Sequence, residues 1–165
     1  GLVPEDRRAD GIFARLSVRE NASVAALEQF CLAGYVRKGE ERRRVGELVA
    51  QLRVRTPDQE QEIAKLSGGN QQKALLVRWL LKDNLKVLLV DEPTRGIDVG
   101  AKAEIYQLLD NLAREGLAVV LLSSEMPEIL GLCDRIYVMS AGRIAAEYDR
   151  AEATPEKLLA SALPN

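Results

Sequence analysis

Histidine is missing altogether from this chain of 165 residues. Its absence excludes a Ser-His-Asp triad, His-ligated zinc and an imidazole proton shuttle built from this chain. Cysteine is almost missing: Cys31 and Cys133 stand far apart in unrelated contexts, so neither a metal knuckle nor a CxxC redox pair is available. Both are expected to be small buried hydrophobes, free thiols of a reducing compartment. A surplus of one charge is lacking too, because 23 Lys and Arg face 25 Asp and Glu for a net charge of −2. Nucleic-acid binders ordinarily carry a basic surplus, so nucleic acid is not an expected partner. No apolar run approaches the ~20 residues that span a bilayer, and nothing at the N-terminus reads as a signal peptide.

What remains is the composition of a soluble globular protein, with 47% apolar and 29% charged residues. The length is that of one ordinary domain, enough to bury roughly 70% of the unfolded surface. The N-terminal half shows no strand signal. Ser17 and Glu20 make a capping-box start, S-V-R-E, to an Ala-rich helix expected to run to about Leu32. A charged stretch, Gly39 to Arg44, leads into a second helix with Val45, Leu48, Val49 and Leu52 along one face. Arg42, Arg43 and Arg44, flanked by Glu40, Glu41 and Glu47, read as a solvated helix face and not as a polyanion site.

From Lys65 the texture changes. Ser67 can cap a helix whose inward stripe is Leu75, Leu76, Trp79 and Leu80. Val87 to Val90 is a continuous apolar run stopped by Asp91-Glu92-Pro93, the mark of a parallel strand buried on both faces. A helix with Ala101, Ile105, Leu108, Leu109 and Leu112 on one side ends before Gly116. A second buried strand covers Leu117 to Leu122, a short helix Pro127 to Leu132, and a third strand Arg135 to Met139. That strand can turn back through Ala141-Gly142 into Ile144 to Tyr148, and Thr154-Pro155 starts a last helix. The alternation is that of an α/β protein with right-handed crossovers. An α-helical subdomain over residues 12–64 is expected to join an α/β core over 65–165.

Two segments carry chemistry. In Leu66-Ser67-Gly68-Gly69-Asn70-Gln71-Gln72-Lys73, a serine and two glycines at a helix start leave backbone N–H groups and the positive end of the helix dipole open to an anion. By itself this is equally a flexible turn with an N-cap. In Val87 to Glu92 a hydrophobic strand delivers two carboxylates to its C-terminal end, where open α/β sheets bind ligands. In phosphoryl-transfer proteins the first such carboxylate supports Mg²⁺ and the second orients and deprotonates a water. The order and spacing of the two segments together point to nucleotide chemistry.

With these motifs the chain resembles the nucleotide-binding domain of ATP-binding-cassette transporters, a P-loop NTPase fold, over essentially all of its length. More narrowly, it is similar to the second such domain of bacterial monosaccharide-import ATPases. Leu66 to Gln71 resembles the family's signature loop, Val87 to Glu92 its Walker B strand, and Thr94 to Lys102 its D-loop region. Ser123 to Glu128 stands at the switch region, and Leu2 to Arg7 resembles the Q-loop, so residues 1–11 form a Q-loop-like segment with Glu5 at the usual glutamine. The resemblance implies that Ser67, Gly68, Gly69, Asn70 and Gln71 face the γ-phosphate of an ATP held mainly by an opposing domain. It implies further that Asp91 supports Mg²⁺, that Glu92 is the general base, and that Asp98 couples two sites across a dimer. It also implies partners: the other nucleotide-binding domain of the same protein, a membrane permease met by residues 11–32, and indirectly a periplasmic sugar-binding protein. The implied location is cytoplasmic, at the inner face of the membrane.

Two departures qualify the resemblance. None of the seven lysines is followed by Ser or Thr, so the phosphate-cradling Gly-x-x-x-x-Gly-Lys-Ser/Thr loop is absent. The chain is therefore expected to be a C-terminal fragment that does not bind or hydrolyse ATP alone, and to self-associate through an exposed sheet edge and apolar surface, with domain swapping as one route. Second, Ser124 stands where the family's switch histidine lies, and a serine carries no charge near neutral pH. The leading expectation is part of an ATPase that powers sugar uptake. The alternatives are a cassette of a non-transport or nucleoside-import system, and a non-catalytic interaction module.

Overall fold

The computed structural model describes residues 1–163, which divide into two units, Gly1–Leu122 and a second beginning at Ser123. The first unit opens with a short strand, β1 (Leu2–Val3), and a π turn over Arg7–Gly11. Asp6 starts that turn by accepting from the N–H groups of Arg8 and Ala9 at 2.9 and 3.0 Å, and these bonds hold its carboxyl below the usual range.

The capping box forms as expected. Ser17 Oγ accepts from the Glu20 N–H at 3.1 Å while Glu20 Oε2 accepts from the Ser17 N–H at 2.8 Å. The helix it starts, α1 (Val18–Ser23), is much shorter than the Ala-rich run implies. The chain tightens into a 3₁₀ segment, Val24–Phe30, and then forms an unexpected two-stranded hairpin, β2 (Cys31–Leu32) and β3 (Tyr35–Val36). Tertiary contacts override alanine's helix propensity here. Ser23 is buried and donates from Oγ to Glu41 at 2.6 Å, Phe30 is fully enclosed, and Ala33 and Gly34 take left-handed backbone angles at the turn. Because the hairpin projects outward, Cys31 is exposed, contrary to the expectation of a buried thiol, while Cys133 is half-buried.

Helix α2 (Lys38–Gln51) follows, and its arginines sit on a solvated face as expected: Arg43 pairs with Glu47, Arg44 with Asp83 and Arg42 with Asp58. Helix α3 (Gly68–Leu80), strand β4 (Val87–Asp91), helix α4 (Val99–Arg114) and strand β5 (Ala118–Leu122) complete the unit. The sheet order is β1-β4-β5, parallel throughout, with Leu2 opposite Leu89 and Leu89 opposite Val120. Helices α3 and α4 pack on the face that carries Val3, Leu88 and Val90, all fully buried. The sheet is not buried on both faces, as the continuous apolar run implies. Leu2, Val87, Leu89, Val120 and Leu122 point the other way and are exposed, because no element of the unit covers that side.

The second unit holds α5 (Met126–Leu132), an antiparallel pair β6 (Arg135–Ser140) and β7 (Arg143–Asp149), and α6 (Pro155–Ala162). Arg135 to Met139 is thus not a third strand of the parallel sheet. The two-residue turn Ala141-Gly142, both left-handed, sends it straight back along its own edge. Ile136, Val138 and Leu158 form this unit's small core.

Candidate functional site

The serine-glycine turn and the start of α4 meet. Ser67 is the N-cap of α3, with extended backbone (φ −62°, ψ 157°), yet its side chain makes no capping bond to the helix backbone. Instead Ser67 Oγ accepts from Asn70 Nδ2 at 2.9 Å, and Asn70 Oδ1 in turn accepts from the Arg55 N–H at 2.8 Å. Asp98 is the N-cap of α4 and accepts from the Ala101 N–H at 3.0 Å. The two helix starts pack so closely that a Cβ on Gly69 would stand 2.7 Å from Ala101 Cβ, and one on Gly68 would stand 2.6 Å from Arg7 Nη2. Glycine is required at Gly69 by this approach, whereas at Gly68 the near atom is the end of the flexible Arg7 side chain.

Between the helix starts lies a cleft of about 230 Å³ whose lining includes Ser67, Gly69, Asn70, Lys73, Asp98 and Glu104. Helices of 13 and 16 residues both begin here, so their unpaired N–H groups and positive dipole ends converge. Lys73 is almost fully buried, donating from Nζ to Glu104 and to the Arg53 carbonyl at 3.2 Å. The ammonium of Lys73 beside Glu104 holds that carboxyl below its usual range, and Arg55 pairs with it from the other side at 3.0 Å. The cleft is accordingly compensated in charge and presents donors near Ser67.

Gln71 is turned inward and buried. Its Nε2 donates to the carbonyls of Ile63 and Leu66 at 3.2 and 3.1 Å, and its Oε1 accepts from Arg7 Nε at 3.3 Å. Arg7 also donates to the Arg95 and Gly96 carbonyls at 2.9 and 3.4 Å, so one guanidinium ties the first segment, the start of α3 and the loop before α4 together. Glu5 is exposed and ion-paired with Arg95. Arg7, Arg55, Lys73, Arg95 and Glu104 have no role in the motif-based view. The one sequence signal is Lys73, which shares with Arg78 the charges of a stretch of α3 that is buried from Gln71 to Arg78.

Asp91 and Glu92 end β4 and do not line the cleft. Glu92 adopts a left-handed backbone (φ 43°), a strained conformation for a residue with a Cβ. It is held there by its N–H donating to the Leu122 carbonyl at 2.9 Å and its carbonyl accepting from the Arg95 N–H at 3.1 Å. Ser124 belongs to the second unit, where it is exposed. Among the described residues no group of three or more His, Cys, Asp or Glu forms a metal cage. Asp91 can still serve Mg²⁺, which keeps most of its waters and takes only one or two carboxylates beside a nucleotide's phosphates. Among the described residues no helix is long and apolar enough to cross a membrane.

Comparison with known proteins identifies the family and the fold. Residues 1–95 match the family described as ABC transporter. The chain is 53% identical over 164 residues to an arabinose import ATP-binding protein of Rhizobium meliloti, covering 99% of this chain and 32% of that protein. It is also 53% identical over 161 residues to a ribose import ATP-binding protein of Rubrobacter xylanophilus, covering 96% of this chain and 32% of that one. The chain thus spans about a third of the length of these curated relatives. In fold it superposes on a dimeric bacterial ABC transporter cassette with a TM-score of 0.75 at 24% identity, covering 91% of this chain and 62% of that one. A chain from an ABC transporter in an inward-facing conformation matches with a TM-score of 0.82 at 18% identity, covering 98% of this chain and 62% of the other. The fold is therefore the α/β architecture of ABC ATPase cassettes, as its motifs imply. From its first 95 residues and its likeness along nearly the whole sequence to sugar-import subunits, this chain belongs to the ABC transporter family.

Proposed function

We propose that this chain supplies the signature turn, the Walker B strand end and the D-loop segment of an ATPase that drives uptake of a sugar through a membrane permease. The observation that carries this is the cleft where α3 and α4 begin together, with Ser67, Gly69 and Asp98 among its lining residues. Hydroxyl and N–H donors at two helix starts suit a terminal phosphate. Nucleotide is held mainly by an opposing domain, and Ser67, Gly68 and Gly69 close over its γ-phosphate. Asn70 and Gln71 hold the turn in shape, Asp98 lies at the junction of the two domains, and Glu5 with Arg95 steadies the segment that follows β1.

Asp91 would hold Mg²⁺, which would offset the charge of the phosphates. Glu92 accepts a proton from the attacking water. Its strained backbone supports this role, since such strain collects at functional sites. Ser124 donates a hydrogen bond in the switch region but moves no proton. The partners are a second nucleotide-binding domain, the permease, met by residues 11–32, and through it a periplasmic sugar-binding protein. The working position is at the inner face of the membrane. The similarity to arabinose and ribose import ATP-binding proteins supports a sugar as the solute. We also infer that the chain alone does not retain ATP and that it self-associates.

The test is association of this chain with a complete nucleotide-binding domain whose own Walker B glutamate is replaced by glutamine, measured by calorimetry with Mg-ATP and with Mg-ADP. Association only with ATP is expected, with no ATP retained by this chain alone. Association that ignores the nucleotide, or micromolar ATP binding by the chain alone, would overturn the proposal.

A further inference from the structure

We propose that Asn70 is a positioning residue that turns the Ser67 hydroxyl proton outward, toward an anion in the cleft at the start of α3. The argument begins with the amide. The Arg55 N–H has only a hydrogen to give, so the Asn70 atom facing it at 2.8 Å must be the oxygen. That fixes the other end: the NH₂ group faces Ser67 and donates to Oγ at 2.9 Å. The hydroxyl is thereby made an acceptor on its inner side. Its single hydrogen is left over, and among the described residues Oγ makes no other hydrogen bond, not even the capping bond usual for a serine in this position.

Because the serine does not cap, the N–H groups at the first turn of α3 stay uncommitted to it as well. Ser67 is exposed at the cleft while Asn70 is half-buried behind it, so the leftover hydrogen has only the cleft to point into. The result is a group of donors at the first turn of α3, on the Ser67 side of a cleft whose carboxylates, Asp98 and Glu104, are engaged by the Ala101 N–H and by Lys73 and Arg55, and such donors fit an anion such as a terminal phosphate. An ordinary N-cap serine, accepting from the helix backbone, would leave the orientation of its hydrogen free. Here the amide of Asn70 sets it in advance, and such preorganisation is where hydrogen-bond donors gain most of their effect on a developing charge. This inference rests on the nucleotide role proposed above and adds to it the residue that sets the polarity of the serine.

Asn70→Asp isolates the effect. A carboxylate keeps the acceptor for the Arg55 N–H but cannot donate to Ser67 Oγ, so the serine turns its hydrogen inward to the carboxylate. The measurement is the ATP-dependent association of the chain with the complete nucleotide-binding domain, made in two backgrounds: Ser67 retained, and Ser67→Ala. With Ser67 retained, Asn70→Asp is expected to weaken association by about tenfold or more, the size of a lost bond to a charged group. With Ser67→Ala in place, the same substitution should cost less than about threefold, because only the added negative charge remains to act. Equal losses in both backgrounds, or no loss with Ser67 retained, overturn the proposal. Should circular dichroism find Asn70→Asp unfolded, Asn70→Ala run through the same pair of backgrounds must give the same non-additivity. If the unsubstituted chain fails to associate with ATP, the nucleotide role itself falls and takes this inference with it. If it associates and the cycle is additive, the inference alone falls.

Discussion

Arg78 brings a guanidinium into the interior, where Nε donates to the Asn21 carbonyl at 2.7 Å, Nη1 to the Gly11 carbonyl at 2.7 Å and Nη2 to Asn21 Oδ1 at 3.3 Å. The Phe13 ring lies 5.7 Å away beneath it, and burial pulls the guanidinium's pKa down without neutralising it. One side chain therefore satisfies a carbonyl of α1 and a carbonyl of the Arg7–Gly11 turn. Arg78→Ala should cost about 3 kcal/mol in urea unfolding, since the acceptors are left buried without donors. Arg78→Lys should recover less than half, because a single ammonium cannot reproduce the fork. A loss under about 1 kcal/mol for Arg78→Ala would mean that water replaces the arginine and that the carbonyls are not tied through it. At this scale the sequence was least legible. The apolar stripe Leu75, Leu76, Trp79, Leu80 marks one inward face of α3, yet Gln71, Gln72, Lys73 and Arg78 are buried too because α3 is enclosed on several sides. Periodicity reports apolar faces and is silent about a buried charge whose partners come from distant segments.

The contact between the starts of α3 and α4 belongs to the scale of elements. Gly69 is buried against Ala101, and an added methyl there has a Cβ for its neighbour rather than the end of a flexible chain. Gly69→Ala should destabilise the protein by about 1–3 kcal/mol through overpacking. Ala101→Gly made together with it should restore part of that loss, despite the weaker helix propensity of glycine. Thermal unfolding of the two single variants and the double variant measures the coupling; simple addition of the two losses would show that the helix starts do not touch as described. The elements themselves were largely legible. The capping box at Ser17, the α4 stripe of Ile105, Leu109 and Leu112, and the Ala141-Gly142 hairpin stand where the sequence implies. The Ala33-Gly34 hairpin uses the same turn chemistry but has only two residues on each side, too few to show alternation.

For the molecule as a whole, the governing feature is the open face of the parallel sheet. Leu2, Leu89 and Val120 are neighbours in one row across three strands, and 51%, 39% and 47% of their surface is exposed. Apolar rows of this kind are associated with interaction or aggregation. Sedimentation velocity should find the chain self-associating at high concentration, and Leu89→Lys with Val120→Lys should return it to a monomer with the same circular dichroism spectrum. A strictly monomeric unsubstituted chain would remove this face as the site of contact. Val87 and Leu89 stand in one unbroken apolar run and Val120 and Leu122 in another, each alternating with less exposed apolar neighbours, so the sequence by itself cannot tell the covered face from the open one.

Local sequence sufficed wherever a short-range rule does the work: the caps at Ser17 and Thr154, the helix-breaking Gly116, the strand stopped at Asp91-Glu92-Pro93, and the order of motifs that points to the family. Tertiary structure decided what depends on residues far apart in the chain. It ended α1 at Ser23 through a bond to Glu41, enclosed Lys73 beside Glu104, and stitched Arg7 to a loop 88 residues away. It also turned the Ser67 hydroxyl, through an amide whose orientation is set by the Arg55 backbone. The physical reason is common to these cases: caps and turns satisfy backbone groups within four residues, whereas a buried polar side chain must find its partner wherever the fold brings one.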